Sequence, residues 1–70
     1  MANQLRLNVG KKVRSLRIER GLTQDGLAEK TGIDYKYIQK IEGKTPPAIR
    51  VDTIEKIAKA LKVPDAKLLE

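Results

Sequence analysis

Gly21 and Gly32 interrupt a chain whose apolar residues otherwise recur at helical intervals. Such punctuation leaves room for only a short helix between the two, because Gly is disfavoured inside a helix by about 0.5–1 kcal/mol relative to Ala yet ends one readily in a left-handed turn. From Leu5 to Arg20, the residues Val9, Val13 and Leu16 mark one face, and Arg6, Lys11, Lys12, Arg14, Arg17 and Arg20 fill the others, so a first helix runs up to Gly21. Thr23 is a good N-cap for a second, Gln24 to Thr31, with Leu27 and Ala28 inward and Gly32 as its stop. Asp34 caps a third helix through Glu42, which sets Tyr37, Ile38 and Ile41 on one face and Tyr35, Lys36, Gln39 and Lys40 on the other. Beyond the proline-bearing loop KTPPAIR, Val51, Ile54, Ile57, Ala58 and Leu61 follow the i, i+3, i+4, i+7 pattern of a fourth helix. Its acids, Asp52 and Glu55, come early and its bases, Lys59 and Lys62, late, as the macrodipole favours. Pro64 fits the first position of a last short turn through Asp65, Ala66, Leu68 and Leu69. The reading is all-α, five helices and no strand.

With 70 residues the chain can form one hydrophobic core, burying roughly 60% of its unfolded surface, so residues 1–70 are expected to be a single domain with 1–4 as a flexible N-terminal arm. The absence of Cys and His removes disulfides, thiolate metal sites and the commonest zinc ligand and general base. An enzyme would have to rest on scattered carboxylates, and Asp25, Asp34, Asp52 and Asp65 are all explained as residues near helix starts. No catalytic residue, metal site, cofactor or small-molecule substrate is therefore expected. Fifteen Lys and Arg against nine Asp and Glu give a net charge of +6 and suit an anionic partner. Neither a signal-type apolar run nor the ~20 apolar residues of a membrane span occurs, which places the expected location in the cytoplasm, with the nucleoid.

Both tyrosines fall in TGIDYKYIQKIEG, residues 31–43, where a helix stops at Gly32, turns, and is followed by a basic amphipathic helix. That is a helix-turn-helix arrangement, whose second helix can enter a major groove. The series VRSLRIERGLTQDGLAEKTGIDYKYIQKIEG, followed by IEKIAKAL and a terminal LL, resembles the lambda-repressor-like helix-turn-helix proteins (Cro/C1-type, XRE family) over about Val9 to Leu69. The resemblance implies a compact five-helix DNA-binding domain with its helix-turn-helix in helices 2 and 3. It also implies a sequence-specific regulator, repressor-type and homodimeric on a palindromic site of double-stranded DNA.

On that resemblance Tyr35, Lys36, Gln39 and Lys40 face base edges. Lysine can approach guanine O6 and N7, Gln39 can pair with adenine, and Tyr35 can meet a thymine methyl or a phosphate. Gln24 is placed near a phosphate and against the recognition helix, at a helix N-terminus that favours anions in any case. Thr23 caps that helix beside the same phosphate path. On the same resemblance Tyr37 packs its ring inward with its tip near the DNA backbone, the core role being favoured over the phosphate contact. Gly43, Lys44, Thr45 and Arg50 flank a loop whose amides, hydroxyl and cations can hold phosphates. Arg17 and Glu42 match positions that form an ion pair from the first helix to the end of the third.

Two features depart from the family's pattern. Gly26 stands where Glu usually completes a capping box with the preceding Ser or Thr, which leaves either a looser first turn or a site that excludes bulk. The segment GKTPPAIR is longer than the corresponding connection in phage repressors, and its prolines stiffen it. Homodimer pairing is expected through the fourth helix, the last turn, or Leu68 and Leu69. A protein-interaction module, such as an antitoxin or a transcriptional coactivator component with a protein partner, is the alternative, because one fold serves both uses.

Overall fold

The computed structural model describes residues 2–70. Five helices follow in order: α1 (Ala2–Glu19), α2 (Gln24–Thr31), α3 (Tyr35–Ile41), α4 (Val51–Leu61) and α5 (Asp65–Leu68). No strand occurs among the described residues. The first helix takes in residues 2–4, which the sequence assigns to an arm ahead of it; residue 1 lies outside the described residues. Nothing between residues 2 and 8 breaks a helix, and Gln4 Nε2 donates to Asn8 Oδ1 at 3.0 Å across one turn. Pro64 also shifts by one position: with φ −64° and ψ 151° it precedes α5 instead of opening it.

Local chemistry sets the other boundaries. The Thr23 hydroxyl accepts from Gly26 N at 2.9 Å, and Asp34 Oδ1 accepts from Lys36 N at 2.9 Å, so α2 and α3 each begin on a side-chain cap. The Thr23–Gly26 bond shows that the turn without the family's Glu is closed. A side chain at Gly26 would lie 3.3 Å from the Thr23 hydroxyl, a tight but adjustable fit. The end of α1 is a Schellman turn, with Gly21 at φ 69°, Gly21 N donating to Ile18 O at 3.0 Å and Leu22 N to Arg17 O at 3.0 Å. The end of α4 repeats it with Lys62 at φ 60° in the glycine position, as Lys62 N donates to Lys59 O and Val63 N to Ala58 O. Arg20, just past α1, reaches across and donates from Nε to Leu61 O at 2.8 Å, covering one of α4's terminal carbonyls.

The core is aliphatic. Val9, Val13 and Leu16 of α1 meet Leu27 of α2, Ile38 and Ile41 of α3, Ile57, Ala58 and Leu61 of α4, and Leu68 of α5. Each large side chain fully buried here contributes about 1.5–3 kcal/mol relative to exposure. Leu68 therefore belongs to the interior and not, as its place beside Leu69 suggested, to a pairing surface; Leu69 is half exposed. One contact needs the absence of a side chain. A Cβ at Gly10, mid-way along α1, would overlap the carbonyl oxygen of Ile41 at the end of α3, so glycine lets the two backbones touch. At about 1.5 Å per residue, the 18 residues of α1 run nearly the 30 Å length of the molecule and form a rail against which the end of α3 is set.

Candidate nucleic-acid interface

Helix α2, the turn Gly32–Asp34 and helix α3 form one packed unit. Gly32 at φ 74° donates its N–H to Ala28 O at 2.8 Å and reverses the chain, and Asp34 starts α3 two residues later. With Ile38 and Ile41 fully buried, the helical period turns Tyr35, Lys36, Gln39 and Lys40 to solvent. Neither lysine has a carboxylate within 4.0 Å among the described residues, so both charges are uncompensated. Gln39 Nε2 donates to the Tyr35 hydroxyl at 3.1 Å, linking two of the four across one turn.

Behind this face, Glu42 anchors α3 to the rest of the protein. Arg17 donates to it in a fork, Nε to Oε2 at 2.8 Å and Nη2 to Oε1 at 3.0 Å, and its third nitrogen, Nη1, donates to Leu22 O at 2.8 Å. Gln24 Nε2 adds a 3.0 Å bond to Oε1. The two charged side chains are 11% and 3% exposed, so the pair is buried but fully partnered, the condition under which burial of charge is tolerated. One carboxylate thus fixes the end of α3 against both α1 and the start of α2. Gln24 braces α3 from inside, which leaves one of its amide protons for anything outside.

Tyr37 is half buried against the core, and its hydroxyl donates to Ala48 O at 3.3 Å. The ring packs inward, the role the sequence favours, and its exposed tip meets this protein's own loop. That loop is pinned by buried Pro46 and half-buried Ile49, while Gly43, Lys44, Thr45 and Arg50 are exposed along it. Arg50 Nε lies 3.4 Å from Asp52 Oδ1 but its side chain is 81% exposed, so the contact does little to restrain it. Thr23 is exposed, with its hydroxyl oxygen engaged as the cap.

The structure adds Arg14 to the residues nominated from sequence. It lines an open cleft together with Arg17, Leu22, Thr23, Gln24, Asp25 and Tyr35, where the start of α2 meets the start of α3. The signal was present: Arg14 lies three residues before Arg17, on nearly the same helix face. Its proximity to Tyr35, far along the chain, was not visible.

The helix-turn-helix family HTH_3 matches residues 13–68, four-fifths of the chain and all of this geometry. The chain belongs to that family. As an HTH_3 protein of the Cro/C1 type it is a DNA-binding transcription regulator and not an enzyme. Comparison with curated proteins yields no match. Among solved structures, a hypothetical transcription factor NHTF from Neisseria is 33% identical with a TM-score of 0.88, covering 94% of this chain and 75% of its own. The restriction-modification controller protein C.AhdI from Aeromonas hydrophila is 30% identical with a TM-score of 0.84, over 90% of this chain and 94% of its own. The controller C.Esp1396I bound to a 19 base pair DNA duplex is 33% identical with a TM-score of 0.82, over 91% and 84%. Within the HTH_3 fold, α2 and α3 are the two helices of the motif. No helix among the described residues is long and apolar enough to cross a membrane.

Proposed function

We propose that this HTH_3 protein is a homodimeric, repressor-type regulator that reads an inverted repeat in the major groove of double-stranded DNA. The carrying observation is the outer face of α3, which presents an aromatic ring, an amide and two uncompensated lysines on a helix whose end is locked by Glu42. Tyr35, Lys36, Gln39 and Lys40 face the bases. Thr23, Gln24, Gly43, Lys44, Thr45 and Arg50 meet phosphates on either side, with Tyr37 supporting the loop that carries four of them. Gln24 offers its remaining amide proton and the free N–H groups at the start of α2. The five helices act as one unit in the cytoplasm, on the nucleoid. A second copy pairs through exposed Leu69 and Val51, at the last turn and the start of α4. Support comes from the DNA-bound controller at 33% identity, aligned over nearly the whole chain.

Selection of bound duplexes from a randomised pool, followed by fluorescence anisotropy across a salt series, tests the reading. The expected result is an inverted repeat with half-sites about 34–36 Å apart, or a multiple of that. A reporter promoter carrying the selected repeat should fall in output when the protein is expressed. Binding without enrichment, at a Kd on the order of 10⁻⁴–10⁻⁶ M and steeply salt-dependent, would overturn the operator model and direct attention to a protein partner.

A further inference from the structure

The exposed face of α3 contains one internal hydrogen bond, from Gln39 Nε2 to the Tyr35 hydroxyl at 3.1 Å. The two ends of that bond sit in different surroundings. Tyr35 is 39% exposed, and its side chain helps line the cleft formed with Arg14, Thr23 and Gln24 at the start of α2. Gln39 is exposed, and only this bond restrains its amide among the described residues. A primary amide has two N–H donors and an oxygen with two acceptor sites. When the N–H anti to Oε1 goes to Tyr35, the other N–H and Oε1 remain free on a single edge. That edge pairs with adenine, whose N7 accepts and whose N6 donates in the major groove, and it mismatches guanine, whose N7 and O6 both accept.

We propose that Tyr35 is a positioning residue that orients the Gln39 amide to select adenine at one position of each half-site. The Tyr35 oxygen accepts from Gln39, and its own proton is left to donate outward to a phosphate oxygen. Once that proton is so committed, the phenol can only accept from the amide. The amide nitrogen is then held toward the ring and the oxygen away from it. A backbone contact thereby fixes the orientation of a base contact. This inference rests on the regulator reading above and assigns to one pair the specificity that reading leaves to the whole face.

Duplex selection with the wild type, Tyr35→Phe, Gln39→Ala and the double variant tests it, with thermal melting of each to confirm folding. The wild type should enrich adenine at one position per half-site, and Gln39→Ala should abolish that preference. Tyr35→Phe keeps the ring but loses the hydroxyl, and should weaken binding to all duplexes through the lost phosphate contact while cutting the adenine-over-guanine preference at that position by about five- to tenfold. The double variant should show the same flat preference there as Gln39→Ala alone, and a preference regained in it would overturn the pairing. An unchanged preference in Tyr35→Phe, or a loss of preference at a different position, would overturn the pairing while leaving the regulator intact. A wild type that enriches no position would overturn both, and that outcome is recognisable before any variant is compared.

Discussion

Glu42 accepts three hydrogen bonds through a side chain only 3% exposed, and two of its donors come from a neighbour whose charge is buried with it. Such a pair gains little over an apolar one of the same shape, because desolvation offsets much of its attraction. Losing one partner is another matter. Glu42→Ala leaves the Arg17 guanidinium inside with only Leu22 O to meet it, so a loss of about 3–5 kcal/mol is expected. The melting temperature should fall before base preference changes, and an unchanged melting curve would refute the locking role. Gly10 gives a second test of residue scale, with opposing terms. In an isolated helix Gly10→Ala would be favourable by about 0.5–1 kcal/mol, but here the new methyl overlaps the Ile41 carbonyl, and overpacking of this kind commonly costs about 1–3 kcal/mol. Packing should win, because backbone cannot swing aside as a side chain can. A denaturant midpoint higher than the wild type's would show that α1 and α3 have room to part. The ion pair was legible by resemblance. The need for glycine at position 10 was not, since a lone Gly in a helical pattern does not reveal what lies across from it.

At the scale of elements, boundaries set by neighbours in sequence were readable and those set by distant contacts were not. Thr23, Asp34 and Gly32 act on residues within four positions, and they stop and start helices where their side chains or backbone freedom suggest. Arg20 on Leu61 O and Tyr37 on Ala48 O join parts of the chain that only the packing of α1, α3 and α4 brings together. The outer face of α3 was legible because burial of Ile38 and Ile41 follows from their spacing, and the helical period then decides the rest. Lys62 shows the limit of such reading. Its place late in α4 suits the macrodipole, yet it occupies the left-handed position that glycine fills at the end of α1. That conformation costs an L-residue about 1–2 kcal/mol, part of which Gly returns through its greater freedom when unfolded. Lys62→Gly should therefore stabilise the protein by about 0.5–1 kcal/mol, raising the melting temperature by a few degrees in a domain this small. A lower melting temperature would mean that the lysine side chain contributes more at the α4 terminus than its backbone strain costs.

For the whole molecule the net charge of +6 and its placement bear on how many copies meet the DNA. Lys44 is exposed, lies on the loop pinned by Pro46 and Tyr37, and has no carboxylate within 4.0 Å among the described residues. A phosphate contact from such a residue carries no sequence information, so Lys44→Ala should weaken binding to all duplexes alike. Its signature lies in the salt dependence. Each neutralised phosphate contributes about 0.9 to the slope of log K against log salt on duplex DNA. One copy losing one contact makes the slope shallower by about 0.9, and two copies on an inverted repeat make it shallower by about 1.8. The same titration therefore tests both the phosphate role and the pairing. Unchanged slope with selective loss at particular bases would move Lys44 to the reading face. A decrease of about 1.8 on the full repeat, falling to about 0.9 on an isolated half-site, is expected if two copies bind together and each sets its α1-braced α3 into successive major grooves.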